Sequence, residues 1–485
     1  MAKDISASEK EGAIKHGAKG AGYRQLFRGV ESSRGASELQ TEAPIAITPV
    51  GISKTRDFYI PVKAKFIIST SAAIIWFLVS LYLAQHWLRD LSNTVGEIPA
   101  FLIILFIALI PGFLNAHMLA SVLLDSPSPL RTDISFPPVS LLIAAYNEAE
   151  NLHETIRCIK GQDYPAKLEV IVVDDGSTDR TLAVLSSCDI PNLKVIQAAH
   201  GGKAHALNEG LKHVSNDIVV CMDADTFLQP QALRRIVARL VSDPPHTAAV
   251  AGCVLVKNSR ASFMTRLQEW DYFTGIASAK RQQSLYQGTL VAQGAFSAFR
   301  TKVVRSSQGW PAVIGEDIVL TWALLKDGWR VGFEPTAIGF TVAPTDLRGF
   351  FRQRKRWARG MIEGLKQYGI AVFRKSPMPG FFVAIDFIIP FLDFFYAFAF
   401  LPGVVLALTG RFYIAGPTTL LVIPIAFLIV LVMFNKQKKV FEALNLKVRR
   451  NFLGFFVYML VYQAIMSPIC VIGYLQEMVG MAKRW

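Results

Sequence analysis

The sequence is poor in cysteine and has no apolar segment at its start. It contains five cysteines in 485 residues, and their wide spacing excludes a close-spaced cysteine metal site (Cys158, Cys188, Cys221, Cys253 and Cys470). This distribution fits buried thiols in a reducing compartment. Because the N-terminus lacks an early apolar core, we expect no cleavable signal peptide.

Acidic residues are outnumbered, with 37 Asp and Glu against 51 Lys and Arg, which gives a net charge of +14. The basic residues cluster at 10–28, 352–359 and 436–450, beside apolar segments. Clusters in that position are typical of proteins that face the anionic cytoplasmic leaflet of a membrane, rather than of nucleic-acid-binding proteins. We therefore expect membrane lipids, and no nucleic acid, among the partners.

Hydrophobic residues are in excess, at 52% with a mean hydropathy of +0.34. Five segments are about long enough to cross a bilayer, namely 66–85, 99–124, 381–408, 413–434 and 452–475. Pro390 and Pro402 leave open whether 381–408 is one span or an interfacial helix followed by a span. The spans show no internal repeat, which argues against a transporter.

Between the spans, short apolar strands at 139–145, 168–173, 193–197 and 218–222 alternate with helical segments. This alternation predicts an α/β, Rossmann-like domain with a mainly parallel sheet. The positive-inside rule places the N-terminus and this domain on the cytoplasmic side. The predicted organisation is a largely disordered polar tail (1–62), a transmembrane hairpin (63–125), the α/β domain (137–345), interfacial helices (346–380) and three further spans (381–485).

The central strand, 218–222, runs directly into Asp223-Ala224-Asp225. Open α/β sheets bind their ligands beyond the carboxyl ends of the strands, so Asp223 and Asp225 fall where a ligand is expected. A hard divalent cation relieves the repulsion between two carboxylates by bridging them to nucleotide phosphates, which is how Mg²⁺ is usually held. An Asp-x-Asp by itself is common in surface loops, so the interpretation depends on the neighbouring motifs.

Two more strands end in polar residues, and a glycine-rich turn follows. Tyr146 and Glu148 follow the first strand, where an aromatic wall and polar groups suit a nucleotide base. Asp174 and Asp175 end the second, where a carboxylate can accept from a uracil N–H and from ribose. Two glycines before Lys203 open a helix, whose free N–H groups suit a diphosphate. Each motif alone is equally typical of a turn or a helix cap.

Two motifs follow at long range. Asp317 stands at the start of an apolar helix and is the candidate general base, although Asp is also a common helix cap. Gln353, Arg356 and Trp357 form a Gln-x-x-Arg-Trp motif in which the Trp face can stack on a sugar ring while Gln and Arg hold the polar groups of a diphosphate. The alternative for this motif is an anchor at the membrane interface.

Taken together, the order and spacing of these motifs resemble the processive, membrane-embedded glycosyltransferases of family 2. Cellulose, chitin, hyaluronan and poly-N-acetylglucosamine synthases belong to that group. The resemblance covers about residues 137 to 370, and the layout of the spans is most similar to that of the poly-β-1,6-N-acetylglucosamine synthases. It departs from the family at Ala292-Gln293-Gly294, where relatives often have Ser-Gly in the loop that lines the acceptor site.

The resemblance implies a cytoplasmic GT-A domain and a transmembrane channel in the inner (plasma) membrane. It implies that a nucleotide sugar and Mg²⁺ or Mn²⁺ bind together at the strand ends (Tyr146, Glu148, Asp174, Asp175, Lys203, Asp223 and Asp225). UDP-N-acetylglucosamine is the first candidate for the nucleotide sugar. Asp317 would deprotonate the acceptor, and Gln353, Arg356 and Trp357 would bind the growing polysaccharide and the pyrophosphate. A small membrane accessory subunit also fits this group.

On this interpretation, an acceptor hydroxyl attacks the anomeric carbon of the donor in line, with inversion and without a covalent intermediate. Synthases of hyaluronan-, glucan- or mannan-like polymers remain alternatives. A non-processive transferase to a lipid carrier is another, although such relatives generally lack Gln-x-x-Arg-Trp. If the protein were a transporter or signalling protein with a degenerate nucleotide-binding domain, we would expect some of the acidic motif residues to be replaced. All of them are present (Asp175, Asp223, Asp225 and Asp317).

Overall fold

The computed structural model describes residues 60–126, 130–131, 134–416, 419, 422–447 and 449–482. Almost all of the predicted N-terminal tail therefore lies outside the described residues. The described chain begins with a helical hairpin, continues as an α/β domain and ends in a second group of long helices.

The N-terminal hairpin consists of two long apolar helices joined by a short amphipathic one. Their bounds are Val62–Leu83 (α1), Gln85–Val95 (α2) and Glu97–Leu124 (α3). Pro111 lacks the N–H that an α-helix needs, and a π-helical segment, Leu105–Leu109, lies just before it in α3. The helix therefore continues through the proline instead of ending there.

The α/β domain is built on one mixed sheet of eight strands in the order β3-β2-β1-β4-β7-β6-β8-β5. The strands β1 to β4 are mutually parallel where they pair, β7 lies antiparallel to β4 and β6, and β5 lies antiparallel to β8. Their bounds are Val139–Ala145 (β1), Leu168–Asp174 (β2), Leu193–Gln197 (β3), Ile218–Asp223 (β4), Thr226–Leu228 (β5), Thr247–Val256 (β6), Phe296–Arg300 (β7) and Arg330–Thr341 (β8). The predicted α/β fold with a mainly parallel sheet is confirmed.

Both faces of the central strands β1, β2 and β4 are buried, which explains why these strands are nearly continuous apolar runs. Because side chains alternate along a strand, Leu141 and Ile143 pack into one core while Leu142, between them, packs into the other. The helices that cover the two faces are Ala149–Lys160 (α4), Thr181–Ser186 (α5), Lys203–Lys212 (α6), Ala232–Ser242 (α7), Phe263–Asp271 (α8), Ala279–Leu285 (α9), Thr301–Ser306 (α10) and Glu316–Lys326 (α11). A π-helical segment, Tyr272–Ser278, joins α8 to α9.

The described part of the C-terminal region contains these helices: Leu347–Gly364 (α12), Ile370–Lys375 (α13), Pro377–Leu408 (α14), Val422–Ala443 (α15) and Phe452–Met478 (α16). The Asp346 side chain caps α12 by accepting a hydrogen bond of 2.8 Å from Gly349 N–H. Despite Pro390 and Pro402, residues 377–408 form one continuous helix of 32 residues.

Within the described ranges, four helices are long and apolar enough to cross a membrane, which indicates a membrane protein: α1, α3, α14 and α16. They correspond to four of the five predicted spans. The remaining one, 413–434, is not among them. Part of the predicted span, 417–418 and 420–421, lies outside the described residues. The helix described there, Val422–Ala443 (α15), carries Lys436, Lys438 and Lys439 in its second half.

Candidate active site

The candidate active site lies where the parallel strands β1, β2 and β4 end side by side. Ala145 pairs with Asp174, and Ala144 pairs with Asp223, so the polar residues after each strand emerge at one edge of the sheet. The predicted residues at the ends of the three strands are thereby brought together. This edge is where ligands bind in open α/β sheets.

Asp175 holds the glycine-rich turn before α6. Its two carboxylate oxygens accept hydrogen bonds of 3.0 Å from Gly201 N–H and 2.9 Å from Gly202 N–H. Gly202 has a φ of 86°, which glycine adopts without strain. The structure therefore uses the Asp175 carboxylate to shape the turn rather than leaving it open to a ligand.

Asp174 differs from its neighbour because half of its carboxylate is unsatisfied. Its Oδ2 accepts a long hydrogen bond of 3.4 Å from Ser177 N–H, whereas its buried Oδ1 has no hydrogen-bond partner among the described residues. A buried acceptor without a donor is unfavourable. Asp174 is therefore better placed than Asp175 to accept from a ligand.

Tyr146 and a residue that the sequence analysis missed, His200, form an aromatic wall. Their ring centroids are 4.3 Å apart with an interplanar angle of 24°. His200 Nδ1 lies 2.9 Å from Asp175 Oδ2, which fixes the imidazole. No local motif indicated His200, because it reaches Tyr146 only through the pairing of β1, β2 and β3.

Glu148 faces the central carboxylates from the start of α4. Its Oε2 accepts a hydrogen bond of 2.8 Å from the Asn151 side chain. Burial raises the pKa of Glu148, and the negative charge of Asp223 raises it further. The electrostatic coupling to Asp223 places Glu148 near the predicted cation site.

Asp223 and Asp225 are coupled electrostatically, as the sequence predicts. Burial raises the pKa of Asp225 to about 7, and the charges of Asp223 and Glu148 add to the shift. The nearest hydrogen-bonding group to Asp225 is the Thr341 hydroxyl, at 3.4 Å from Oδ2. Among the described residues no cation forms an ion pair with Asp225, and the charge of Lys203 offsets only part of the shift.

Asp223 and Asp225 could hold a cation only if most of its ligands came from water and substrate. Among the described residues, no three His, Cys, Asp or Glu side chains form a group that could hold a metal ion by themselves. Mg²⁺, however, commonly uses one or two carboxylates and takes its remaining ligands from water and substrate phosphates. The mutually repelling Asp223 and Asp225 fit that mode, and their role as ligands remains a prediction.

Lys203, the predicted diphosphate ligand, contacts acidic residues of two motifs, Asp-Ala-Asp and Gly-Glu-Asp. Its Nζ lies 2.5 Å from Asp223 Oδ1 and 3.4 Å from Glu316 Oε1. Burial alone would lower the Lys203 pKa, but these two carboxylates outweigh it and raise the pKa. A side chain at Gly294 would collide with the Lys203 ammonium, so the loop before β7 closes over this cation.

Asp317, the candidate base, stands in the first turn of α11. Its Oδ2 accepts a hydrogen bond of 3.1 Å from Gly294 N–H, which ties it to the predicted acceptor loop. The neighbouring Glu316 is buried, and burial together with the Asp317 charge raises its pKa to about 7 against the opposing effect of Lys203. Asp317 itself is partly exposed, as a base that meets an acceptor must be.

Lys280, which the sequence analysis did not identify, is buried behind this loop. Its Nζ donates a hydrogen bond of 2.7 Å to Val291 O. Burial lowers the Lys280 pKa to about 7, while the Asp317 charge opposes that shift. The loop between Val291 and Gly294 is therefore held at one end by Lys280 and at the other by Asp317.

The Gln-x-x-Arg-Trp motif lies on α12. Trp357 is 37% exposed, and Arg356 is exposed beside it, whereas the Gln353 Oε1 atom is buried without a partner among the described residues. A residue between them, Arg354, was missed by the sequence analysis. Its guanidinium lies 4.2 Å from the Trp357 ring centroid and 2.8 Å from Asp271 Oδ2.

Two glycines bring α12 against the start of α11. A Cβ on Gly360 would lie 2.9 Å from Gly315 Cα, and a Cβ on Gly315 would lie 2.7 Å from Gly360 Cα. Gly315 N–H also donates a hydrogen bond of 2.9 Å to Glu363 Oε2. This contact fixes the distance between the helix of the candidate base and the helix of Trp357.

The strand edge thus carries a carboxylate pair, a lysine at a glycine turn and a separate acid at a helix start, which is the set of groups that the sequence analysis expects of a GT-A glycosyltransferase. Residues 137–360 match the family model described as "Glycosyltransferase like family 2". The chain therefore contains a family 2 glycosyltransferase domain, and the predicted resemblance is confirmed.

The chain is similar to two poly-beta-1,6-N-acetyl-D-glucosamine synthases. It is 31% identical to that of Staphylococcus aureus (strain COL) over 257 residues, which are 52% of this chain and 62% of the relative. It is 32% identical to that of Staphylococcus epidermidis (strain ATCC 35984) over 230 residues, 47% of this chain and 55% of the relative. The alignment thus spans less than two thirds of the length of these curated relatives.

Among solved structures, the mannosyltransferase PcManGT from Pyrobaculum calidifontis is similar in fold. The match has a TM-score of 0.53 and 21% sequence identity, and it covers 87% of this chain and all of the mannosyltransferase. That structure was determined in complex with GDP-Man and Mn²⁺. At this identity the similarity supports the GT-A fold alone.

Proposed function

We propose that the protein is an inverting, processive glycosyltransferase that polymerises a UDP-activated sugar, UDP-N-acetylglucosamine in the first instance, into a β-linked polysaccharide and moves it across the membrane. The observation that carries the proposal is the placement of α12 between the candidate base and a membrane helix. Its Gly360 touches the start of α11, and its opposite side packs on α16.

The contact between α12 and α16 is close and charged. A Cβ on Gly473 of α16 would lie 2.8 Å from both Ala358 Cβ and Lys355 O of α12. Arg359 Nε donates a hydrogen bond of 2.9 Å to Glu477 Oε2, and both side chains are buried. The acceptor-binding helix is therefore built onto a helix long enough to span a membrane, which supports coupling of transfer to export.

Each residue then has a role in the proposed reaction. Asp317 takes the proton of the acceptor hydroxyl as that oxygen attacks the anomeric carbon. Tyr146 and His200 stack on the base, and Asp174 Oδ1 accepts from it. Asp223 and Asp225 would hold Mg²⁺ or Mn²⁺, which would supply positive charge for the leaving diphosphate. One base and no protein nucleophile are what inversion requires.

The choice of sugar is supported by the relatives, whose names specify poly-β-1,6-N-acetylglucosamine. A hyaluronan-, glucan- or mannan-like product and transfer to a lipid carrier are the alternatives, and the Mn²⁺ and GDP-Man in the mannosyltransferase structure make mannose worth testing. The basic clusters at 352–359 and 436–450 support a cytoplasmic catalytic domain in the plasma membrane.

A donor screen tests the proposal. Native membranes, which retain any small accessory subunit, and the purified protein in nanodiscs receive radiolabelled UDP-GlcNAc, UDP-Glc, UDP-GlcNAc with UDP-GlcA, or GDP-mannose, each with Mg²⁺ or Mn²⁺. We expect a high-molecular-weight product from UDP-GlcNAc alone and only in the presence of a divalent cation. A polymer made from another donor would show that the proposed sugar is wrong. A lipid carrying a single sugar would refute processivity. No transfer from any donor in native membranes would refute the proposal that the protein is a glycosyltransferase.

A further inference from the structure

A buried ion pair lies behind Trp357 of α12. Arg354, one helical turn before Trp357, is 1% exposed, and its Nη1 lies 2.8 Å from Oδ2 of Asp271, the last residue of α8. The Nε and Nη2 atoms of Arg354 have no hydrogen-bond partner among the described residues. A buried cation is costly unless a carboxylate compensates it, so the position of Arg354 depends on Asp271.

The guanidinium of Arg354 covers one side of the Trp357 indole. Arg354 Cζ lies 4.2 Å from the Trp357 ring centroid, which is within the range of a cation–π interaction. The buried ring of Tyr272 packs beside both groups, with its centroid 6.1 Å from that of Trp357 and 5.7 Å from Arg354 Cζ. The indole therefore has a cation and an aromatic ring on its buried side, while 37% of Trp357 stays exposed to meet a ligand.

This group of side chains adjoins the predicted cation site. Burial raises the pKa of Tyr272 to about 12, and the negative charges of Asp271 and Asp225 add to the shift while Arg354 opposes it. Asp225 is one of the two predicted metal ligands. The electrostatic coupling between Tyr272 and Asp225 therefore places the buried side of Trp357 near the end of the site where the donor is expected.

Asp271 is itself held by the segment that follows it. A π-helical segment, Tyr272–Ser278, begins directly after Asp271, and such segments often occur at functional sites. A Cβ on Gly275 would lie 3.0 Å from Asp271 Oδ1, so the backbone approaches the carboxylate closely. The Thr274 hydroxyl lies 2.7 Å from the hydroxyl of Tyr458, which belongs to a second π-helical segment, in α16. These contacts fix the carboxylate that faces Arg354.

We propose that Asp271 and Arg354 are positioning residues, whose ion pair sets the orientation of the Trp357 indole and thereby the affinity of the protein for the acceptor sugar. The inference rests on the proposed function, in which Trp357 binds the acceptor end of the growing polysaccharide. Arg354 is too deeply buried to contact a substrate, so it acts through Trp357. A planar guanidinium can stack on an aromatic ring, which the compact ammonium of a lysine cannot do.

A positioning role can be separated from a purely structural one, because removing both charges leaves no unpaired ion in the interior. Asp271→Asn leaves the Arg354 charge without its partner, so it should lower both the melting temperature and the affinity for the acceptor. Asp271→Leu combined with Arg354→Met replaces the pair by apolar side chains, which is often neutral for stability. In this double variant the melting temperature should recover, whereas the acceptor affinity should stay low because no cation faces the indole.

The test measures initial rates of transfer by the full-length protein in nanodiscs, with UDP-GlcNAc as donor and a β-1,6-linked N-acetylglucosamine tetrasaccharide as acceptor. We expect Asp271→Asn and the double variant to raise the acceptor KM by about tenfold, with kcat and the KM for UDP-GlcNAc within about threefold of the wild type. Arg354→Lys keeps the charge but loses the planar group, so its acceptor KM should be raised by about three- to fivefold. An acceptor KM that stays at the wild-type value in Asp271→Asn, or returns to it in the double variant, overturns the proposal.

A second measurement needs no transfer and reports on the indole itself. In protein labelled with fluorotryptophan, the fluorine resonance of Trp357 is identified by its loss in Trp357→Phe. Asp271→Asn and the double variant should shift or broaden this resonance, because the contacts of the ring change. An unchanged resonance in Asp271→Asn overturns the proposal. A changed resonance in a protein that transfers no sugar from any donor supports the role of the ion pair and contradicts the proposed function.

The matched control is Glu477→Gln, which breaks another buried arginine–carboxylate pair on the same helix. Arg359 lies two residues after Trp357, on the other side of α12, and its Nε donates a hydrogen bond of 2.9 Å to Glu477 Oε2. This variant should lower the melting temperature and leave the acceptor KM and the Trp357 resonance unchanged. If Glu477→Gln raised the acceptor KM as much as Asp271→Asn does, loss of any buried pair on α12 would suffice and the specific role of Asp271 and Arg354 would be refuted.

Discussion

The contact between Gly315 and Gly360 allows the geometry of the site to be tested with one methyl group. In Gly360→Ala, the new Cβ would lie 2.9 Å from Gly315 Cα and 3.3 Å from Gly315 N. Carbon atoms in ordinary contact are about 3.5–4.0 Å apart, so α12 and the start of α11 must separate by roughly 0.6–1 Å. Both atoms in contact belong to backbone, so no side chain can move aside instead.

The consequence for catalysis follows from the position of Asp317, two residues after Gly315. A misplacement of about 1 Å in a catalytic constellation costs on the order of 100-fold in rate, so we expect transfer to fall by about 10- to 100-fold. Overpacking lowers the free energy of unfolding by about 1–3 kcal/mol, whereas replacing a helical glycine with alanine raises it by about 1 kcal/mol. The protein should therefore remain folded. UDP affinity should be unchanged, because the nucleotide edge of the sheet is not disturbed.

The control lies one turn further along the same face of α12. A Cβ on Gly364 would lie 3.6 Å from Ile318 and Trp322 side-chain atoms, which is ordinary contact. Gly364→Ala should therefore keep transfer within twofold of the wild type. The assay compares initial rates of UDP release, UDP affinity by calorimetry and thermal unfolding in detergent. If folded Gly360→Ala were as active as Gly364→Ala, the spacing between α11 and α12 would not control transfer.

Three further predictions concern single carboxylates. Asp317→Asn should abolish transfer and leave UDP binding intact, and near-normal turnover would show that the base is another residue. Asp225→Ala should lose Mg²⁺-dependent UDP binding, so an unchanged UDP affinity in Mg²⁺ would contradict its role as a ligand. Glu169 lies at the opposite end of β2 from the site, where burial would raise its pKa but hydrogen bonds from Lys194, Ser140 and Ser215 lower it to about 2. Because the folded pKa is below the ordinary 4.5, its stabilisation, on the order of 2 kcal/mol, is present above pH 4.5 and is lost as the pH falls towards 2. Glu169→Gln should therefore lower the melting temperature at pH 7 more than at pH 4, and an equal loss at both would refute the linkage.

The sequence predicts which residues meet at the strand ends, because that information is local, while their role in binding a nucleotide stays a prediction. Asp174, Asp223 and Glu148 each follow an apolar strand, and parallel strands align their carboxyl ends, so a one-dimensional pattern is enough to bring them together. The bounds of β1 and β2 agree with prediction to within one residue for the same reason.

The acceptor half depends on contacts between distant segments, which no local pattern encodes. Arg354 was overlooked within Gln-x-x-Arg-Trp because its partner, Asp271, lies in another helix. Lys280 sits in an ordinary polar helical stretch and becomes notable only because it is buried. The strands β5, β6, β7 and β8 were not predicted either, and β5 has only three residues.

The ammonium of Lys203 serves as an internal counter-ion, since it lies 2.5 Å from Asp223 Oδ1 and 3.4 Å from Glu316 Oε1 and offsets part of their negative charge. On the proposed function, a diphosphate that attracts this ammonium would free Asp223 for a divalent cation, whereas a cation alone would have to compete with Lys203. Nucleotide and metal would then be thermodynamically linked, and each would raise the affinity of the protein for the other by the same factor. The order in which the two are added would then leave the final complex unchanged, but neither alone would saturate the site at the concentrations that suffice for both.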